Sequence, residues 1–152
     1  MMLAFFVPAT QAQSIEDKLE IYFRQDVYAV EEGVGDNKRA LEQLSTLFDK
    51  IAADSLATLS KIEINSWTSP EPGAAYNEVL SKRRSNSIRD YILERWQIAD
   101  TLLVAKGNGI AWGKLREIVA ASDMQYRDEV IDVIDNVPEE TWGRINHTDR
   151  WL

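Results

Sequence analysis

The hydrophobic repeat changes period in the middle of the chain, and this change limits the folds that the chain can adopt. Residues 61–65 alternate polar and apolar side chains, which is typical of a strand with one buried face, and the strand is predicted at residues 59–67. Residues 68–73 contain two prolines and a glycine, which stop any regular element. Residues 74–95 then repeat with a step of four, the spacing of one helix face. The side chains at this step are Tyr76, Leu80, Arg84, Ile88 and Ile92.

The flanking sequence predicts further strands and helices in alternation. A first strand is expected at residues 18–25 and a first helix at residues 37–53. A third strand at residues 101–105 ends at the turn Gly107-Asn108-Gly109, and two shorter helices follow at residues 112–121 and 124–135. Strands that alternate with helices predict a sheet covered by helices. The expected fold class is therefore α/β, with the order βαβαβ followed by extra C-terminal helices.

Charge and composition exclude several classes of function. The formal net charge is −8, which disfavours binding to nucleic acid, because each phosphate contact needs a lysine or arginine. The 152 residues include no cysteine, and the only histidine is His147. Cysteine nucleophiles, histidine triads and two-histidine metal sites therefore cannot form within one chain. We expect no catalytic residues, no metal and no cofactor, and we do not expect an enzyme.

The N-terminus predicts export from the cytoplasm. Met1–Val7 is an apolar run, and small residues precede a polar stretch in the way that favours cleavage after Ala12. The other interpretations are a frayed apolar tail or a buried first strand. The run is too short to span a bilayer, so no transmembrane segment is expected in the mature chain. The predicted organisation is a partial signal peptide at residues 1–12, a domain at residues 13–110 and a helical extension at residues 111–152, for which truncation is one interpretation.

The stretch from the second strand to the third carries a recognisable motif. The chain reads Ile62-Glu63-Ile64-Asn65-Ser66-Trp67-Thr68-Ser69, and the following helix contains Asn-x-x-Leu-Ser-x-x-Arg at Asn77–Arg84. With Asn37 upstream and Gly107–Gly109 downstream, residues 18–109 resemble the OmpA-like domain family of peptidoglycan-associated proteins. The Ser-Pro-Glu form of the loop resembles a subset from Bacteroides-type envelopes.

This resemblance implies a mixed sheet with helices on one face and a place in the periplasm, peripheral to the outer membrane. It also implies non-covalent binding of the diaminopimelate in peptidoglycan stem peptides. The ligand-binding residues would be Ser69, Glu71, Asn77 and Arg84. Arg84 occupies the position of the arginine that holds the ligand carboxylate, whereas Ser69 stands where the family has an aspartate for the ammonium. Glu71 could supply a carboxylate instead. The alternative is an interaction or assembly protein that kept the fold and lost the ligand, with envelope proteins as partners.

Structural roles compete with these functional roles. Arg84 shares a stripe with apolar residues, so it needs a ligand, a loop to anchor or a path to water. Asn77 is expected to hydrogen-bond near the helix start, and Ser69 to form a turn. Trp67, at the end of the second strand, is either a packing anchor or a platform that stacks on a sugar ring. The acidic run Asp123–Asp135 allows two further hypotheses, a metal site and a hydrolase with paired acids. Both are weaker than the binding hypothesis.

Overall fold

The computed structural model describes residues 17–71 and 73–138. The predicted signal peptide, residues 1–12, and the end of the helical extension lie outside the described residues. The elements are α1 (Asn37–Ala53), β1 (Ile62–Thr68), α2 (Ala74–Arg95), a 3-10 turn (Asp100–Leu102), β2 (Leu103–Ile110), α3 (Trp112–Ala120) and α4 (Arg127–Asn136). None of the helices in this part of the chain has the length and apolar character needed to cross a membrane.

The fold is mixed α/β, with four helices and a small parallel sheet of two strands among the described residues. β1 and β2 pair in register from Ile62 with Leu103 to Ser66 with Gly107, and the register then shifts before Thr68 pairs with Ile110. Parallel neighbours need a crossover, and α2 provides it. The α/β class is confirmed, whereas the order in the described residues is αβαβαα, without the first strand.

The prediction of a strand at residues 18–25 is wrong. Residues 17–24 belong to no regular element, and the backbone of Tyr22 is hydrogen-bonded to a side chain rather than to a neighbouring strand. The N–H of Tyr22 donates to Oδ1 of Asn37 at 2.7 Å, and Nδ2 of Asn37 donates to the carbonyls of Tyr22 and Glu31 at 2.8 and 2.7 Å. Asn37 is fully buried, so these bonds fix the segment against the start of α1.

The third strand is longer than predicted, because the glycines expected to end it lie inside β2. Gly107 lies where β2 passes very close to α2: a Cβ on this residue would lie 2.3 Å from the backbone nitrogen of Lys82. A glycine is therefore required by the close approach rather than by a turn. Gly109, with φ of 65°, lies within the register shift, between Gly107 and Ile110.

The described residues contain two hydrophobic clusters. In the first, Phe48 of α1 and Ile92 of α2 pack with Ile64 and Leu103 of the sheet. In the second, α3 and α4 pack against each other and against Ile110 at the end of β2. The helices predicted at residues 112–121 and 124–135 are confirmed, with the second beginning and ending slightly later. Since α1 and α2 pack against the same buried side chains of the strands, they lie on one face of the sheet.

Candidate functional site

The loop that follows β1 is held in place by the side chain of Asn77. This side chain is fully buried in the first turns of α2. Its Nδ2 donates to the carbonyls of Ser69 and Pro70 at 2.9 and 3.0 Å, while its backbone N–H donates to Gly73 at 2.9 Å. Asn77 therefore fixes the main chain of the loop, which is the structural role that the sequence favoured.

The other side of the same amide lacks a partner. Oδ1 of Asn77 is buried and accepts no hydrogen bond from any described residue. The orientation of the amide follows from the two carbonyls, which only the NH₂ group can satisfy. Leaving a buried acceptor unpaired costs about 1–3 kcal/mol, so the bonds that hold the loop are kept at some cost in stability.

Arg84 lies two turns further along α2 and is also buried, with 7% of its surface exposed. Its Nε donates to the carbonyl of Val27 at 3.0 Å, and its Nη2 to that of Arg24 at 2.9 Å. A third, longer bond of 3.3 Å runs from Nη1 to the carbonyl of Trp67 at the end of β1. The guanidinium also lies 5.1 Å from the ring centroid of Phe23, within range of a cation–π contact. Arg84 thus ties the N-terminal segment to the end of β1.

The positive charge of Arg84 is not neutralised by direct contact with an acid. Among the described residues no carboxylate lies within ion-pair distance of its guanidinium; its partners are neutral carbonyls. Burial lowers the pKa of Arg84 from its ordinary value, and the nearby Asp26 and Tyr76 oppose this shift. An arginine stays protonated under such a shift, so the site carries a buried positive charge.

The two remaining predicted ligands lie on the surface of the loop. The side chains of Ser69 and Glu71 are exposed, and the structure brings the Ser69 backbone to Asn77 without bringing either side chain to Arg84 through a hydrogen bond. None of the four predicted site residues lines the two open grooves of about 470 and 700 Å³ that flank other parts of α2. The structure therefore joins Asn77, Arg84 and the loop main chain, and leaves the Ser69 and Glu71 side chains in solvent.

Two further residues of the motif, Ser81 of α2 and Thr68 of β1, bind Gly109, which lies at the register shift in β2. Oγ of Ser81, a buried side chain, accepts the backbone N–H of Gly109 at 3.0 Å. Oγ1 of Thr68 donates to the carbonyl of Gly109 at 3.1 Å. These contacts were not predicted. The signal that could have indicated them is a serine and a threonine next to residues that the pattern predicts to be buried.

Several charged side chains of α2 and of the acidic run form ion pairs on the surface. On α2, Lys82 pairs with Glu78 and Arg89 with Asp100. In the acidic run, Asp135 holds the guanidinium of Arg116 at 2.7 Å. No group of three acidic or histidine side chains that could hold a metal ion occurs within residues 17–71 and 73–138. These charges therefore form a solvated ion-pair surface rather than a second site.

Comparison with known proteins adds no assignment to this geometry. No protein-family model, curated protein or solved structure matches the chain. The resemblance to the OmpA-like family therefore rests on the residues quoted from the sequence, and the site rests on the contacts described above.

Proposed function

We propose that the chain is a non-catalytic module of the cell envelope, of the OmpA-like type, that binds peptidoglycan non-covalently through its stem peptide. The proposed location is the periplasm, at the outer membrane. The observation that carries the proposal is the buried charge of Arg84, which no described carboxylate contacts within ion-pair distance. A buried charge is normally paired, and an anionic ligand would supply the partner.

The chemistry of diaminopimelate suits the groups around the loop. Its side chain ends in an ammonium and a carboxylate. A carboxylate can accept parallel hydrogen bonds from a guanidinium, which has five N–H donors. Three N–H groups of Arg84 already donate to carbonyls, so two remain. Ser69 stands where the family has an aspartate. The exposed carboxylate of Glu71 is the group of the loop that can pair with the ligand ammonium instead.

Binding at Arg84 requires a local rearrangement, because the guanidinium is 7% exposed. The bond to displace is the one to the carbonyl of Trp67, which at 3.3 Å is the longest of the three. A ligand carboxylate at this position would form an ion pair with the guanidinium in addition to a hydrogen bond, which the neutral carbonyl does not do. The exchange of this carbonyl for a ligand carboxylate is therefore favourable, and it leaves the two bonds to the N-terminal segment in place.

A second candidate function is an interaction or assembly protein of the envelope that no longer binds peptidoglycan. The observation that favours it is that Arg84 already has a complete structural role as the tie between residues 24–27 and β1. Ser69, which carries no charge, occupies the position that would answer the ammonium. In this case the exposed loop would contact a partner protein, and added wall fragments would not affect that interaction.

Co-sedimentation of the full chain with diaminopimelate-containing peptidoglycan tests the proposal. Arg84→Ala is a poor variant because it removes three structural hydrogen bonds, so the test uses Glu71→Gln and Ser69→Asp on the exposed loop. The matched control is Glu42→Gln on the exposed side of α1. We expect wild type and control to pellet equally, Glu71→Gln to pellet less and Ser69→Asp to pellet more.

Two results would contradict the proposal. If the wild type stays in the supernatant and Ser69→Asp pellets, the second candidate holds, because the fold then lacks only the missing acid. If the wild type pellets and Glu71→Gln pellets equally, the loop carboxylate has no part in binding, and the site is not the one described here.

A further inference from the structure

The sheet has an open face that the helices do not cover in the described part of the chain. Along β1 the residues Ile64, Ser66 and Thr68 are buried, whereas their neighbours Glu63 and Trp67 are exposed. Alternate residues of a strand point to opposite faces. The exposed residues of β1 therefore form one face, opposite to α1 and α2. This open face consists of Glu63, Asn65 and Trp67 of β1 with Lys106 and Asn108 of β2.

The packing of β2 agrees with this assignment. Gly107 lies against the backbone of Lys82 in α2, closer than any side chain would allow. Its neighbours Lys106 and Asn108 therefore point to the other face and are exposed. In the register of the sheet, Lys106 lies beside Asn65. Nδ2 of Asn108 donates to Oδ1 of Asn65 at 3.3 Å, which places both amides on the open face.

Trp67 is the large apolar side chain of this face, and 50% of it is exposed. Exposure of an indole ring to water is unfavourable. Tryptophan is common at binding interfaces, because its ring is apolar and its N–H can remain in contact with water. The neighbouring amides each offer two donors and one acceptor. The face thus combines a flat aromatic ring with neutral hydrogen-bonding groups beside it.

The charges of the face favour a neutral polar ligand. Glu63 is hydrogen-bonded to Lys61, and that bond, with the charge of Lys106, lowers the pKa of Glu63. The negative charge of Glu63 is therefore balanced by the positive charges of Lys61 and Lys106 toward the start of β1. The end with Trp67 and Asn108 carries amides without formal charge. It complements a ligand rich in hydroxyl and acetamido groups, rather than a phosphate or a strongly acidic peptide.

We propose that Trp67, with Asn65 and Asn108, is a binding platform for a pyranose ring of an N-acetylated glycan. The C–H face of the ring stacks on the indole, and the hydroxyl or acetamido groups at its edge bond to the two amides. The inference rests on the proposed peptidoglycan function, and it names the glycan strand as a second contact. The two contacts are linked through the main chain of Trp67, whose carbonyl accepts a hydrogen bond from Nη1 of Arg84.

Titration calorimetry of the full chain with chitotetraose tests the platform without any stem peptide. We expect weak saturable binding that Trp67→Ala reduces by about tenfold, the size of one aromatic stacking contact, whereas Trp67→Phe keeps most of it. Tyr28→Ala is the matched control, since Tyr28 is similarly exposed, at 47%, and lies in a different segment. As a second measurement, the indole N–H resonance that Trp67→Phe removes should shift on addition of the oligosaccharide.

Peptidoglycan cleaved by an amidase separates this inference from the proposed function. Glycan strands without peptides should bind the wild type and lose about tenfold affinity with Trp67→Ala, whereas free stem peptides should be insensitive to that change. If glycan strands bind and stem peptides do not, the platform stands and the peptide site fails. If chitotetraose and bare glycan strands both fail to bind, or if Trp67→Ala binds them as the wild type does, the platform is refuted.

Discussion

Removal of the Arg84 guanidinium should destabilise the fold and release its N-terminal segment. In Arg84→Ala the carbonyls of Arg24, Val27 and Trp67 lose their common donor. A hydrogen bond from a charged group contributes about 1.5–3 kcal/mol. The three effects do not add fully, because the bond to Trp67 is long and removing a buried charge also removes its desolvation cost. We therefore expect a loss of about 3–5 kcal/mol, less than the sum of three such bonds.

Urea unfolding measures this loss, and amide exchange locates it. A single domain is stable by about 5–15 kcal/mol, so the variant should remain mostly folded at 25 °C. Exchange should rise most in residues 22–31, the segment held by Arg84 and by Asn37. Arg84→Lys should lose less, since it keeps the charge but cannot donate to three separated carbonyls at once.

The matched control is Arg83→Ala, one residue earlier on α2. Arg83 is exposed and lies 5.5 Å from the ring centroid of Tyr28, a contact that contributes about 0.5–1 kcal/mol at the surface. If Arg84→Ala lowers the free energy of unfolding by no more than Arg83→Ala does, and exchange in residues 22–31 is unchanged, the structural role assigned to Arg84 is wrong.

Two further predictions concern backbone packing and pH. Gly107→Ala should destabilise the fold by at least about 1–3 kcal/mol, because the added methyl group overpacks against Lys82. Gly113→Ala in α3, where an added Cβ would meet nothing within 4 Å, should stabilise the fold by up to about 1 kcal/mol. Equal urea midpoints for the two variants would contradict this prediction. The hydrogen bond from Arg24 lowers the pKa of Glu31 from its ordinary value. The contribution of this ion pair to stability is therefore present above the pKa of Glu31 in the unfolded chain, and it is lost as the pH falls through the pKa of Glu31 in the folded chain. Amide exchange near Val27 should therefore rise in that acidic range, and Glu31→Gln should make it less dependent on pH.

The elements with a clear period could be predicted from sequence, and those without one could not. The helix at residues 74–95 was predicted with the bounds of α2, because apolar residues at a step of four mark its buried side. The strand at residues 59–67 overlaps β1 for the corresponding reason. Residues 18–25 also alternate, but alternation does not reveal the partner of a strand. Here the partner is the side chain of Asn37.

The end of the third strand was predicted wrongly, because the role of its glycines depends on a distant part of the chain. Gly107-Asn108-Gly109 is a turn signal in isolation, yet Gly107 continues the strand. The reason is the close approach of α2, which only the folded structure contains. Similarly, the sequence identified Asn77 and Arg84 as residues that need an explanation. The sequence did not show that the carbonyls of residues 24, 27, 67, 69 and 70 accept hydrogen bonds from these two side chains.

Asn37, Asn77 and Arg84 have one function in common, and this bears on ligand binding. Each is buried on a helix, and each donates to main-chain carbonyls of an irregular segment. The loop after β1 is therefore fixed by α2 before any ligand arrives, and a fixed loop loses little conformational freedom on binding. A change of charge on its exposed side chains, such as Ser69→Asp or Glu71→Gln, should then alter affinity through electrostatics rather than through loop order. For this reason the loop variants discriminate between a peptidoglycan-binding module and a protein-interaction module, whereas variants of the three buried residues test the fold.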